Sequence, residues 1–141
     1  MLSRFHTFFI LQAVLLLAAS RPVAAQDKIY WTDSNDDSIR RADPDGLNAE
    51  LISKVDHYEW AEKLAVDSVN GKLYWIDIIA KRIQRANIDG SSLETIYTAL
   101  TTTNFYDIEV DPAGGKVYWS DWANDRIQRA NFDGSGVETI L

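Results

Sequence analysis

Cysteine is absent from the 141 residues, which rules out disulfides, thiolate-held metals, a thiol nucleophile and a lipid-modified N-terminal cysteine. No Asn-x-Ser/Thr triplet occurs, so N-linked sugar is not expected. Histidine is scarce, with only His6 and His57. Basic residues are outnumbered, 14 Lys and Arg against 21 Asp and Glu, for a net charge of −7. An acidic chain lacks the positive face that nucleic acids and anionic membranes require. Long apolar runs are also missing apart from residues 7–19, where Gln12 is the one strongly polar interruption. That run falls short of the roughly 20 residues of a spanning helix. With Arg4 ahead of it and Val23-Ala24-Ala25 behind, it reads as a secretory leader cleaved after Ala25. Residues 1–25 are the expected leader and 26–141 the mature domain, secreted, periplasmic or at the cell surface, with no membrane span after cleavage. The leader holds Arg4 and Arg21 and no acid, so its loss makes the domain more acidic still.

What the chain does contain is repetition. Tyr30-Trp31-Thr32-Asp33 returns as Tyr74-Trp75-Ile76-Asp77 and as Tyr118-Trp119-Ser120-Asp121, 44 residues apart each time. The same step carries Ile39, Arg41 and Ala42 to Ile83, Arg85 and Ala86, then to Ile127, Arg129 and Ala130. It carries Asp45-Gly46 to Asp89-Gly90 and Asp133-Gly134. Each unit reads as four short strands. In the second unit these are residues 64–66, 72–76, 82–86 and 93–97, with turns at Asn70-Gly71 and Asp89-Gly90. Leu73 and Trp75 point to one side of their strand and Tyr74 and Ile76 to the other, and all four are apolar or aromatic. A strand buried on both faces explains this. A period of about 40–45 residues with four strands per period is that of propeller blades. The expected fold is all-β, a partial β-propeller of about three four-stranded blades over 26–56, 57–100 and 101–141.

Tyr-Trp-x-Asp, then Ile-x-Arg-Ala, then Asp-Gly, in this order and spacing, resembles the YWTD repeat, also called the low-density-lipoprotein-receptor class B repeat. The resemblance covers essentially the whole mature chain. It implies a six-bladed propeller outside the cell that acts as a protein-binding or pH-responsive module. Three blades are too few to close a ring, since propellers have typically 4–8. The sequence is therefore expected to be part of a longer product, or to self-associate so that two copies complete a ring, or to stay open. The cysteine-rich modules that accompany the family's large receptors are missing, so their endocytic and signalling roles do not carry over.

Candidate sites separate into those the repeat explains and those it does not. Asp33, Asp77 and Asp121 recur in every unit, which suits a hairpin-fixing carboxylate better than a catalytic acid. Tyr30, Trp31, Tyr74, Trp75, Tyr118 and Trp119 are structural motif residues by the same logic. Arg41, Arg85 and Arg129 are expected to bind acids or carbonyls between strands. Residues 33–37 alternate oxygen ligands as a calcium loop does, but Ser38 and Pro44 replace its glycine and its distal glutamate. They read as a polar turn. His57 beside Asp56 reads as a solvated loop histidine. The residues left over are Tyr58, Glu59, Trp60 and Glu62 in one loop, Phe105, Tyr106 and Asp107 in the next, and Asp36 and Trp122 in hairpin turns. Propeller topology gathers them on one face. Aromatics ringed by acids suit the centre of a protein-binding patch, so Tyr58, Glu59, Trp60, Glu62, Phe105, Tyr106, Asp107 and Trp122 form the candidate face. No catalytic residue, metal or cofactor is expected. The leading reading is an extracytoplasmic protein-binding or scaffold module with a protein ligand. The alternatives are a propeller hydrolase or lactonase and a gene fragment without function. An enzyme would need convergent ligands from several blades. Asn104 and Glu109 could serve in the third unit, but the same positions one repeat earlier hold Trp60 and Ala65.

Overall fold

The computed structural model describes residues 28–33, 36–54 and 63–141. The expected leader, Ser34 and Asn35, and the segment with Asp56, His57, Tyr58, Glu59, Trp60 and Glu62 lie outside the described residues. The fold is all-β and forms a partial propeller of three antiparallel sheets. The first blade has three strands, β1 (Ile29–Asp33), β2 (Ser38–Ala42) and β3 (Glu50–Lys54). The second has β4 (Leu64–Asp67), β5 (Lys72–Asp77), β6 (Arg82–Asn87) and β7 (Glu94–Thr98). The third has β8 (Phe105–Asp111), β9 (Lys116–Asp121), β10 (Arg126–Asn131) and β11 (Glu138–Thr139). Within each blade the strands pair in chain order as a meander. No helix among the described residues is long and apolar enough to cross a membrane.

Local chemistry makes each hairpin. Asp67 and Asp111 close the β4–β5 and β8–β9 turns by accepting backbone N–H groups two and three residues on. Gly71 and Gly115 supply the positive φ that completes these turns. In the next hairpin, Asp89 and Asp133 each accept the N–H and hydroxyl of Ser91 and Ser135.

The middle blade is buried on both faces. Leu73, Trp75 and Ala86 pack with Tyr30 and Ile39 of the first blade. Tyr74, Ile76 and Ile83 pack with Ile108, Val117, Trp119 and Ala130 of the third. One strand therefore feeds two cores, which is why β5 lacks the polar alternation of a solvent-facing strand. Each buried aromatic or aliphatic side chain contributes roughly 1.5–3 kcal/mol, and this packing replaces the missing disulfides.

Polar bonds lock the blades in the same order. Arg41 donates from Nη1 to the Ile88 carbonyl at 2.8 Å, and Arg85 to the Phe132 carbonyl at 2.6 Å. The Nε of each holds a glutamate on the neighbouring strand, Glu50 and Glu94. Phe132 lies over Tyr74 with ring centroids 5.4 Å apart. A Cβ on Gly90 or Gly134 would collide with the carbonyl oxygen of Ile52 or Ile96 in the preceding blade. These two Asp-Gly turns thus sit against the last strand of the preceding blade, where only glycine fits.

Candidate functional site

The rim between the second and third blades is built around Asp121. This carboxylate is fully buried at the end of β9. Its Oδ1 accepts the Asn104 N–H at 3.0 Å, and its Oδ2 accepts Asn124 Nδ2 at 2.7 Å and Arg126 Nε at 3.0 Å. Burial by itself would raise this carboxyl, but the Asn104 N–H, Asn124 and Arg126 together outweigh burial and hold it below the usual range. The result is a clamp between the loop leading into the third blade and the β9–β10 turn. Asp77 plays a narrower part, taking the Ala80 N–H at 2.8 Å and Arg82 Nε at 2.9 Å. Asp33 lies 3.7 Å from Arg40 Nε. The three motif aspartates therefore hold turns and arginines.

On this clamp stands Trp122, which opens a single 3-10 turn, Trp122–Asn124, closed by Asp125 in the left-handed region. Its N–H donates to the Asn104 carbonyl at 3.1 Å. Lys81, from the second blade, donates to Asn104 Oδ1 at 2.9 Å, while the Ala99 N–H donates to the Lys81 carbonyl at 2.7 Å. The loop is braced from both sides, and the indole is left 63% exposed. On the paired strand β8, Tyr106 follows Phe105, the partner of Asp121, and is 65% exposed, with the Lys63 ammonium 5.6 Å from its ring centroid. Ile79 and Leu100 are also exposed on the turns and loops of this side.

Phe105, Tyr106 and Asp107 do not lie in a loop, where the sequence reading put them. They open β8, which starts three residues earlier than expected because an irregularity between Phe105 and Ile108 shifts the pairing register. Phe105 is 4% exposed and meets Tyr97 edge-on at 6.4 Å, so it belongs to the core between the blades. Asp107 is half-buried and its Oδ1 accepts the Ile108 N–H at 3.1 Å. The described, exposed part of the face is thus Tyr106 and Trp122, with Asp107 half-buried next to Tyr106 in the chain.

Lys63 was missed by sequence reasoning. Nothing in the repeat marked it, because its contact is with the ring of Tyr106, 43 residues on in the next blade. Glu109 is exposed overall, yet desolvation of its carboxyl first, and Asp107 second, push it up. Asp36 is bound to the Ser38 hydroxyl and Arg40, with Lys54 at 3.3 Å. Those bonds, Ser38 foremost and then Arg40, bring it down to about 2. Such a carboxylate is committed to protein partners. Among the described residues, no three His, Asp or Glu side chains gather as a metal site.

Residues 115–141 match the family described as low-density lipoprotein receptor repeat class B. The match covers β9 to β11 of the third blade. The other two units set the same motif residues on the equivalent strands, Tyr30 and Tyr74 on β1 and β5, and Arg41 and Arg85 on β2 and β6. A chain of the nidogen/laminin complex superposes on this one with a TM-score of 0.71 and 28% identity, over 81% of this chain and 43% of that one. A protein from Agrobacterium tumefaciens described as a TolB gives 0.62 and 20%, over 82% and 44%. A virginiamycin B lyase from Staphylococcus aureus gives 0.64 and 18%, over 84% and 39%. The last two likenesses are of fold alone. The chain spans less than half the length of each of these proteins. Compared with curated proteins, the chain matches none.

Proposed function

We propose that the class B array is an extracytoplasmic, non-enzymatic binding module that takes a protein ligand on the rim carrying Tyr106 and Trp122. The observation that carries this reading is two large, mostly exposed aromatics, Trp122 directly after Asp121 and Tyr106 directly after its strand partner Phe105, on a backbone braced by the Asp121 clamp and Lys81. Rigid aromatic anchors on a fixed platform suit a protein-binding hot spot, because little conformational freedom is lost on binding. The repeat does not demand Trp122: its equivalents are Ser34 and Ile78. The resemblance to a chain of the nidogen/laminin complex points the same way. The acidic balance of the chain favours a ligand with basic residues around an apolar centre. A hydrolase reading draws less support, because Asn104, one of its two candidate ligands, already spends its side-chain oxygen on Lys81.

The test is affinity capture from the medium in which the protein is exported, followed by titration of the captured partner against variants. Trp122→Ala and Tyr106→Ala are each expected to weaken binding about tenfold or more, the size of an ordinary hot-spot loss, with unchanged melting temperatures. Leu47→Ala, far from the rim on an outer turn, serves as control. A partner that binds all four proteins equally contradicts the proposal.

A further inference from the structure

The sequence holds a single Asn-Gly pair, Asn70-Gly71, in the turn between β4 and β5. Asn70 is exposed there, while Asp67, on which the turn closes, is fully buried. Asp67 Oδ1 accepts the N–H groups of Val69 at 3.0 Å and Asn70 at 2.9 Å. Its Oδ2 accepts Asn70 Nδ2 at 2.7 Å. The third blade builds the same turn on Asp111, with Gly114 where Asn70 stands. The turn thus forms without a side-chain amide at this place.

Asparagine is a thermolabile residue, and a following glycine leaves its own backbone nitrogen unshielded because it has no Cβ. Even a Cβ added at Gly71 would meet nothing within 4 Å, so the surroundings leave room for a ring to close. The Asp-Gly turns differ. Asp45, Asp89 and Asp133 are each pinned by the N–H two residues on. Gly90 and Gly134 are pressed against carbonyl oxygens of the preceding blade. The Ser91 and Ser135 hydroxyls and N–H groups hold the Asp89 and Asp133 carboxyls below their usual range, and an ionised carboxylate resists attack at its carbon.

We infer that Asn70-Gly71 is a site of spontaneous deamidation, and that the change loosens the junction of the first and second blades. The Gly71 nitrogen attacks Asn70 Cγ. A bond forms between them, the Cγ–Nδ2 bond breaks, and the nitrogen leaves as ammonia with the Gly71 proton. Water then opens the cyclic imide at either carbonyl, giving aspartate or isoaspartate. Nothing is oxidised or reduced.

The product cannot keep the turn as it is. A carboxylate at residue 70 removes the donor from Asp67 Oδ2 and sets a like charge against a buried one. Isoaspartate also lengthens the main chain ahead of Gly71 by one carbon. The Gly71 carbonyl accepts the Ile88 N–H at 3.0 Å, and the Ile88 carbonyl accepts Arg41 Nη1 of the first blade at 2.8 Å. Two bonds therefore connect the reactive turn to the lock between those blades. The lock of the second and third blades, Arg85 on the Phe132 carbonyl, stands by a turn with Gly114-Gly115 and no amide to lose. Neither step involves Tyr106 or Trp122.

The purified protein is aged at mildly alkaline pH, then digested for peptide masses and isoaspartate labelling. The peptide with Asn70 is expected to gain one mass unit, as a mixture of aspartate and isoaspartate, at least about tenfold faster than those with Asn87 and Asn131. Asn70→Gly, which copies the third blade, shows no gain in that peptide. Hydrogen exchange at the Ile88 amide is expected to quicken at least about tenfold in the aged wild type and in Asn70→Asp, but not in aged Asn70→Gly. The Ala99 amide, bonded to the Lys81 carbonyl, serves as the unchanged reference. An Asn70 that reacts no faster than Asn87 and Asn131 overturns the site. Unaltered exchange at Ile88 in the aged wild type overturns the link to the junction. If Asn70→Asp fails to fold, the aged wild type and aged Asn70→Gly decide the second point between them.

Discussion

At the scale of single residues, the same amino acid works differently according to what lies next to it. Asp36 and Asp121 are both lowered, one by exposed partners and the other by a buried clamp that overcomes desolvation. Because the folded-state value of Asp121 lies below the unfolded one, the carboxylate contributes stability above the ordinary carboxylate range. That contribution fades as pH falls through the lower, folded value. Thermal melts from pH 7 to pH 2 are expected to show a steeper loss below about pH 4 for the wild type than for Asp121→Asn. Equal slopes would mean that the clamp does not hold the charge. Asp43, Glu50, Asp89, Glu94 and Asp133 are lowered as well and titrate in the same direction, so they form the common background of both curves. The recurrence of Asp33, Asp77 and Asp121 was visible in the sequence. The Asn104 N–H that Asp121 binds was not, because it comes from 17 residues away across the top of the blade.

At the scale of the element, hairpins carry the blade and one of their turns carries the junction. Gly115 and Gly134 both have positive φ, but only Gly134 lies under a neighbouring carbonyl. Gly115→Ala is expected to cost roughly 1–2 kcal/mol for the backbone alone. Gly134→Ala adds displacement of β7 and should lower the melting temperature by about 5–10 °C, visibly more than Gly115→Ala. Equal losses in a melting experiment would remove the turn from the junction. Strand positions were largely legible, since Tyr-Trp-x-Asp, Asn-Gly and Asp-Gly leave little freedom of register. The start of β8 was not. The shift between Phe105 and Ile108 breaks the alternation that marks a strand, and Thr101-Thr102-Thr103-Asn104 ahead of it reads as loop. A buried Phe105 was mistaken for a surface aromatic for that reason.

At the scale of the whole molecule, three sheets that could not each shelter their own aromatics form two shared cores. The two-sided apolar pattern of residues 73–76 announced this arrangement, because no sheet with a wet face would carry it. What the pattern could not announce is the polar lock, since the Ile88 and Phe132 carbonyls that receive Arg41 and Arg85 are backbone atoms with no mark in the sequence. The stacking itself is tested most directly by a double-mutant cycle on Tyr74 and Phe132, which sit on different blades and touch only if the blades pack as described. Chemical denaturation of the wild type, Tyr74→Ala, Phe132→Ala and the double variant is expected to give a coupling energy of about 0.5–1.5 kcal/mol. Losses that add to within about 0.3 kcal/mol, as for independent sites, would contradict the stacking of the second and third blades.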